Sequence, residues 1–462
     1  MEQQRAADLL VLGPDIVTFD AGRRMIRDGA IAVADGRIVW IGLSTEARTL
    51  FNAQSTIYAQ GQIAMPGLID AHFHTAQQLI RGKIVEISRR RQLKLPVWRN
   101  YFLPFESCLD EEDVYLSGLL AYSNMIRVGT TCFAEAGGPF PDQMGRAAEE
   151  VGIRGFIALS TMDMDFAESV PPSMKMTTQQ AIAENEALVK RWNGSQGSGR
   201  VRAWLALRQL IVCSEELWIA FRDLANQLGV RMHTHLAEGV YELDFAAERW
   251  GKRPAEHLDS IGSLGSHVHA AHSILLSDHE VDLYAQHRVT AAHCPMGNYL
   301  IGPPKVAQMW RRGIAIGLGS DGASNGTLDL FRLASIAWVA QQSNFGTPWY
   351  DRTVLGAEDC LVIATIGGAR ALGAGDELGS LEVGKRADFI LVDPTELDMQ
   401  PVYDPAFTLA RGVSGRDVRT VIVDGQVVMK DRELLLVDEA EVRARINERW
   451  PRIMERFEAL VA

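Results

Sequence analysis

The stretch Met65 to Thr75, MPGLIDAHFHT, decides how this chain is read. It is apolar, then small, and it ends in two imidazoles two residues apart. Side chains at that spacing share one face of a strand, so His72 and His74 point the same way from the end of a buried strand.

Working outward, seven more apolar runs follow, separated in several places by helical patterns. The eight runs are 63–70, 130–135, 152–159, 201–207, 230–235, 267–272, 289–293 and 314–321. Alternating strand and helix predicts parallel β/α units, and eight of them is the count that closes a (β/α)8 barrel, whose active site lies at the C-terminal strand ends. The strand ends carry the chemistry. The fifth run ends MHTHLAE, giving His233, His235 and Glu238. The sixth ends AAHS with His272, the seventh AAHCP with His293, and the eighth GLGSDGASN with Asp321. Neutral imidazole and carboxylate are ordinary ligands of a divalent transition metal. One histidine at a strand end reads as a polar cap; His or Asp at five strand ends, in a chain of eleven histidines, does not.

Strand parity sorts the histidines. With His272 facing inward, Ala270 and Val268 share its face, and His267 and His269 are expected to point outward as structural residues. His233 shares parity with His235 and lies deeper, in the core or behind the ligands. Gly317 and Gly319 share parity with Asp321 and leave space there. His257, His279 and His287 are expected at the surface. Three motif fragments are set aside. GLGSDG matches a dinucleotide-binding glycine pattern but closes a strand rather than opening a β/α unit; HEVDL has Leu283 where a zinc motif needs His; HCPMGN lacks the second cysteine of a zinc-deaminase signature.

The two ends of the chain look different from the middle. AIAVADGRIVWIG has Asp35-Gly36 between two β-rich runs, and TVIVDGQVVM has Asp424-Gly425 in the same place, a strong hairpin signal; LEVGKRADFILVD is a third candidate hairpin. The expected organisation is a composite β domain from 1–62 and 376–435, a catalytic barrel over 63–375, and a C-terminal helix over 436–462 interrupted at Pro451. With 462 residues, 47% hydrophobic, the chain can build a large core. The net charge of −12 argues against nucleic acid or an anionic membrane as partner. Five scattered cysteines without a CxxC pair, and no basic-then-apolar N-terminus, fit a reducing, cytoplasmic setting.

Together PGLIDAHFHT, HTHLAE, AAHS, GLGSDGASN and LEVGKRADFILVD resemble the amidohydrolase superfamily. More narrowly, they resemble the subgroup of S-adenosylhomocysteine deaminases and atrazine chlorohydrolase. The resemblance implies a (β/α)8 barrel with a β-sandwich-like domain built from both termini. It implies that His72, His74, His235 and Asp321 bind one divalent ion, usually zinc and sometimes iron. It makes Glu238 the proton shuttle, His272 the residue that polarises the substrate, and Asp321 the acceptor of the water proton. Binuclear relatives bridge two metals with a modified lysine on the fourth strand; no Lys occurs between Lys190 and Lys252, so a mononuclear site is expected.

For the substrate, RNYFLPFE resembles the stretch that holds a ribose in nucleoside deaminases, which places Glu106 there. Trp98 is read either as a base-stacking residue or as core packing. Gln77 matches a pocket glutamine of atrazine chlorohydrolase-like enzymes. Leu159 and Ser160 stand where adenosylhomocysteine enzymes tend to have arginine, and LRQLIVCS replaces their usual segment before the fifth strand. Arg208 and Gln209, within it, read either as a barrel-rim pair or as readers of an oxo-purine, pterin or triazine edge. His293 is assigned to the substrate as well. The expected activity is metal-dependent hydrolytic deamination of an amino-substituted N-heterocycle. The alternatives are a hydrolase with another leaving group, such as chloride from a triazine or a ring amide, and a non-catalytic binding relative. The expected partners are a small heterocycle and further copies of the chain, as a dimer or tetramer.

Overall fold

A computed structural model describes residues 4–165, 170–194, 198–322, 326–351 and 353–462. The last three residues of GLGSDGASN, 323–325, lie outside the described residues. The chain divides into two compact units. One comprises Met1–Asp70, Ser123–Cys132 and Leu328–Val437; the other comprises Ala71–Tyr122, Phe133–Thr327 and Asp438–Ala462. This differs from the sequence-based division: residues 328–375 go with the first unit and the C-terminal helix with the second.

In the first unit, a seven-stranded sheet joins both ends of the chain, with Phe389–Val392 between Ile63–Pro66 and Val418–Val423. A four-stranded sheet is built from the first sixty residues. Leu9, Val11, Ile31 and Val33 from the small sheet share one apolar cluster with Ala64, Phe389, Leu391 and Ile422 from the large one. The two Asp-Gly turns form as expected. Asp35 and Gly36 have φ of 50° and 70°, Asp424 and Gly425 of 53° and 78°, the left-handed pair that a two-residue hairpin loop requires. The third hairpin does not form. Only Phe389–Val392 of that stretch is a strand, and as a central strand buried on both faces it spends its hydrogen bonds on two other partners.

The strands of the middle region are β1 (Leu68–Phe73), β2 (Thr130–Glu135), β3 (Arg154–Ile157), β4 (Leu205–Gln209), β5 (Met232–Leu236), β6 (Val268–His272), β7 (Thr290–His293) and β8 (Ile316–Leu318), of which β1, β5, β6 and β7 carry histidines. Each overlaps one of the eight runs, with β1, β4 and β5 extending one to three residues past the expected end, but two runs are split. The first changes sheets at Gly67, after Pro66, which has no N–H to give. The fourth breaks at Trp204, so that Val201–Ala203 pairs with β3 while β4 pairs with β5. β1, β2, β3 and Val201–Ala203 form one sheet, and β4 to β8 form a second, all parallel. Two parallel bridges link the sets, Phe73 with Asp321 and Thr161 with Leu207, so the pairing runs in a ring. Gly319 makes the closure at β8 feasible: a Cβ there would lie 2.8 Å from both the His72 Cβ and the Cys294 sulfur. Glycine thus permits the approach that brings Asp321 beside His72.

The C-terminal helix α2 (Glu439–Val461) runs through Pro451 without interruption. Proline removes one backbone hydrogen bond, but anchors on either side hold the helix. Arg449 and Arg456 both bind the buried Asp113 carboxylate, and Phe457 packs edge-on against Phe105 at 5.6 Å. Phe105 belongs to the short helix α1 (Leu103–Ser107), the one that carries Glu106. Replacing Phe457, which is fully buried, by alanine should cost ~3–5 kcal/mol. Denaturant unfolding of Phe457→Ala measures it; a loss under ~1 kcal/mol would mean that α2 is no part of this core.

Candidate active site

All the histidines singled out as ligands, with Asp321, lie in the second unit and meet at the ends of β1, β5, β6 and β8. The ligand atoms of His72, His74 and Asp321 lie within 4.8 Å of one another, and so do those of His72, His235 and His272. The His74 and His235 Nε2 atoms face each other at 3.1 Å. The His72 Nε2 is 3.3 Å, and the His74 Nε2 3.6 Å, from Asp321 Oδ1.

The hydrogen bond behind the His235 ring assigns its tautomer. His235 Nδ1 lies 2.6 Å from the Arg208 carbonyl oxygen, an acceptor only, so Nδ1 carries the proton and Nε2 is a bare lone pair. His72 Nδ1 lies 2.8 Å from the Nε2 of His233, a buried residue behind the cluster. Asp321 is tied in by its own N–H, which donates to the His72 carbonyl at 2.9 Å. His235 thus turns a lone pair towards His74 and Asp321, and imidazole nitrogens gathered with one carboxylate oxygen suit zinc or another first-row divalent ion.

His272 reaches the cluster by an unexpected route. It has φ of +69°, and Asp321 has φ of +64°; both sit where non-glycine residues are strained. The left-handed turn breaks strand alternation at the end of β6. His272 therefore faces the site while His269, three residues earlier, also faces inward. His269 is fully buried, with Nε2 2.9 Å from the Ala71 carbonyl and Nδ1 2.9 Å from Thr290 Oγ1. The outward placement expected for His269 is corrected: period-two parity does not extend through a positive-φ residue. Asn298, which sequence reasoning missed, fixes His272. Its amide N–H donates to the His272 carbonyl, so its oxygen accepts from His272 Nδ1 at 3.0 Å. The same amide donates to His293 Nδ1 at 3.2 Å, which leaves His293 buried one residue removed from the cavity wall. His257, expected at the surface, is buried face-on against Trp250, with ring centroids 3.6 Å apart.

Burial sets the charges. It holds His72 down to about 4 against a smaller opposing pull from Asp321, and it drives His74 and His235 well below the usual imidazole range. All three are neutral at pH 7, the form that ligates a metal. Burial by itself would raise the Asp321 carboxyl, but the hydrogen bond from His72 and the neighbouring imidazoles bring it well below the ordinary value.

A cavity opens over the cluster, and Gln77, Trp98, Phe102, Arg208, Gln209 and Glu238 complete its wall. Glu238 Oε2 accepts from the Gln209 amide and from the Tyr241 hydroxyl, each at 2.9 Å. Tyr241, another residue missed in the sequence, also accepts from the Trp98 indole N–H at 2.9 Å. Trp98 is thus a wall residue with a polar anchor rather than core filling. Glu106 does not line the cavity. It is buried behind it, where it takes a two-point ion pair from Arg208 and a 2.8 Å hydrogen bond from the Gln77 amide. The carboxylate expected to hold a ribose is thus engaged by Arg208 and Gln77.

A further carboxylate at a strand end went unused in the sequence. Glu135 closes β2, is fully buried, and accepts the Thr75 N–H at 2.9 Å, bracing the residue after His74.

The chain matches the model of the Amidohydrolase family over residues 63–428. It is 32% identical over 448 residues to a 5-methylthioadenosine/S-adenosylhomocysteine deaminase of Desulforamulus reducens, covering 96% of this chain and 99% of that one. Among solved structures, it resembles an adenosine deaminase from Xanthomonas campestris with bound zinc, at 29% identity and a TM-score of 0.89, covering 98% of this chain and 100% of that one. It also resembles atrazine chlorohydrolase from Arthrobacter aurescens complexed with zinc, at 26% identity and a TM-score of 0.82, covering 96% and 100%. The chain belongs to the amidohydrolase family.

The electrostatics of Glu135 give a pH test. Burial raises its carboxyl from 4.5 to about 8. The folded state then keeps a proton that the unfolded chain releases above pH 4.5, so this residue's contribution to stability falls as pH rises from 4.5 to 8 and is flat beyond. Glu135→Gln keeps the acceptor for Thr75 and removes the titration. The unfolding free energy of the variant relative to wild type, measured by denaturant titration, should therefore grow from pH 5 to pH 8, by up to ~1.4 kcal/mol per pH unit. A gain independent of pH over that window would show that Glu135 titrates normally.

Proposed function

We propose that the ring of β/α units is a (β/α)8 barrel whose C-terminal mouth holds one divalent ion, zinc foremost and iron(II) as the other metal this donor set suits. His72, His74, His235 and Asp321 would be its ligands. The reaction is hydrolytic deamination of an amino-substituted N-heterocycle, which makes the protein a hydrolase of non-peptide carbon–nitrogen bonds. The observation that carries this reading is the bare Nε2 of His235 facing His74 beside Asp321, with Glu238 on the adjoining wall. The zinc-bound structures it resembles support the same choice of metal.

When bound, such an ion acts as a Lewis acid and brings the pKa of a water from 15.7 towards ~7. Asp321 takes one proton of the attacking water. Glu238 relays both water-derived protons: the water's other proton goes to a ring nitrogen next to the carbon under attack, and the one taken up by Asp321 goes to the departing amine. The carbon–nitrogen bond breaks, ammonia leaves, and the carbon keeps the oxygen. Tyr241 and Gln209 occupy Oε2 of Glu238, which leaves Oε1 to carry the proton. The backbone N–H of Glu238 is held at 3.0 Å by Glu242, a buried carboxyl that burial lifts to about 8. His272 commits its Nδ1–H to Asn298 and so turns an Nε2 lone pair on the water; as an imidazolium it would donate to charge developing on the oxygen. Trp98 offers a face for the ring. No described helix is long and apolar enough to cross a membrane, which suits a cytoplasmic enzyme of small heterocycles, assembled as a homo-oligomer.

Purified protein should carry about one divalent ion per chain by elemental analysis; two tightly held ions, or none after supplementation, would refute the mononuclear site. Glu238→Gln keeps shape but carries no proton. Its kcat should fall ~10²–10⁴-fold with metal content unchanged. Full metal with near-normal kcat would remove Glu238 from the mechanism. Tyr241→Phe should lower kcat ~10-fold at unchanged metal content, since it removes one of the two hydrogen bonds that hold Oε2 without removing the carboxylate. An unchanged kcat would show that Tyr241 does not orient Glu238.

A further inference from the structure

We infer that the site is built for an amino-substituted lactam ring, one that carries a ring N–H beside a carbonyl, rather than for an adenine-type ring. The inference rests on the deaminase reading and names its substrate class.

Two glutamines on the cavity wall carry it. Gln77 directs its Nε2 to a carboxylate oxygen of Glu106, and Gln209 directs its Nε2 to Glu238 Oε2. A carboxylate cannot donate, so both amide orientations are fixed by their neighbours, and both Oε1 atoms must point away. Gln77 Oε1 and Gln209 Oε1 are buried and have no hydrogen-bond partner. Buried acceptors left unpaired are costly, so a ligand that supplies N–H or O–H donors is favoured there.

Arg208 supplies the complementary half. It lines the same cavity and is almost fully buried, with its guanidinium 6.0 Å from the Trp98 ring centroid. Its charge is balanced by the bidentate pair with Glu106 at 3.0 and 3.2 Å. A guanidinium has more N–H donors than that pair uses. A neutralised guanidinium suits a neutral carbonyl oxygen better than a carboxylate or phosphate, whose full charge would go uncompensated in a buried site. A donor for an amide oxygen next to an acceptor for the arginine, on a ring that stacks on Trp98, describes the C(=O)–N–H edge of a lactam. Adenine in a nucleoside has only acceptors around the ring once its amine faces the ligand cluster. It could meet these glutamines only through sugar hydroxyls.

The test compares initial rates of ammonia release by the metal-loaded wild-type enzyme. One set of probes is guanine and 2-amino-4-oxopteridine; the other is adenine, adenosine and 5′-deoxyadenosine. Sites built around buried polar groups reject analogues that leave those groups unpaired, so kcat/KM for the better lactam should exceed that of every adenine-type probe by at least ~100-fold. Equal or higher efficiency on the adenine-type probes would overturn the inference and leave the deaminase reading standing. No ammonia from either set, with metal bound, would overturn both. Gln77→Leu adds a check on the wall. It should lower kcat/KM on the lactam ~10–100-fold and on any adenine-type probe less than ~3-fold; an equal fall on both would remove Gln77 from recognition.

Discussion

Two imidazole nitrogens facing each other at 3.1 Å, His74 Nε2 and His235 Nε2, are the constraint around which the second unit is arranged. Neutral rings in that posture repel unless a proton or a cation lies between them. The Arg208 carbonyl holds the only ring proton of His235 on the far side, and burial keeps both rings neutral, so the gap is filled either by the one ring proton of His74 or by a cation. The surrounding geometry maintains the arrangement. His233 backs His72, the Asp321 N–H grips the His72 carbonyl, and Gly319 lets β8 close on β1. The two positive-φ residues, His272 and Asp321, are strained at the point where ligand donors must be aimed rather than merely packed.

Carboxylates of one chemical type are divided among tasks by their surroundings. Glu106 is paired with Arg208 and serves to hold that guanidinium in place. Glu135 and Glu242 are buried without a cation, are lifted to about 8, and act as hydrogen-bonding braces behind Thr75 and Glu238. Glu238 is partly exposed at the cavity and has one oxygen occupied by Tyr241 and Gln209. Only the last has both access to a ligand and a free oxygen. Environment, not residue type, separates the proton carrier from the scaffold.

The wall opposite the ligands follows the same economy. Arg208 meets Glu106, Glu106 meets Gln77, Gln209 meets Glu238, and Tyr241 joins Glu238 to Trp98. Each link fixes which atom of the next side chain remains for a ligand. The helix carrying Glu106 is backed in turn by Phe457 of the C-terminal helix, so a residue near the end of the chain supports the pocket.

Much of this was legible in the sequence, because strand alternation and turn chemistry are local. The apolar runs, the imidazoles at their ends, the Asp at the end of the eighth run and the two Asp-Gly turns depend on neighbours within a few residues. What the sequence did not determine was which side chains meet. His269 faces inward because His272 turns left-handed after it, and parity carries no information past such a residue. Glu106, expected at a ribose, is paired with an arginine about a hundred positions further on. Asn298 and Tyr241 carry no motif, and their roles exist only as distances to His272 and Glu238. Ligand type is written in local pattern; the partner that aims each ligand is set by closing the strands into a ring, which brings together residues that no local period connects.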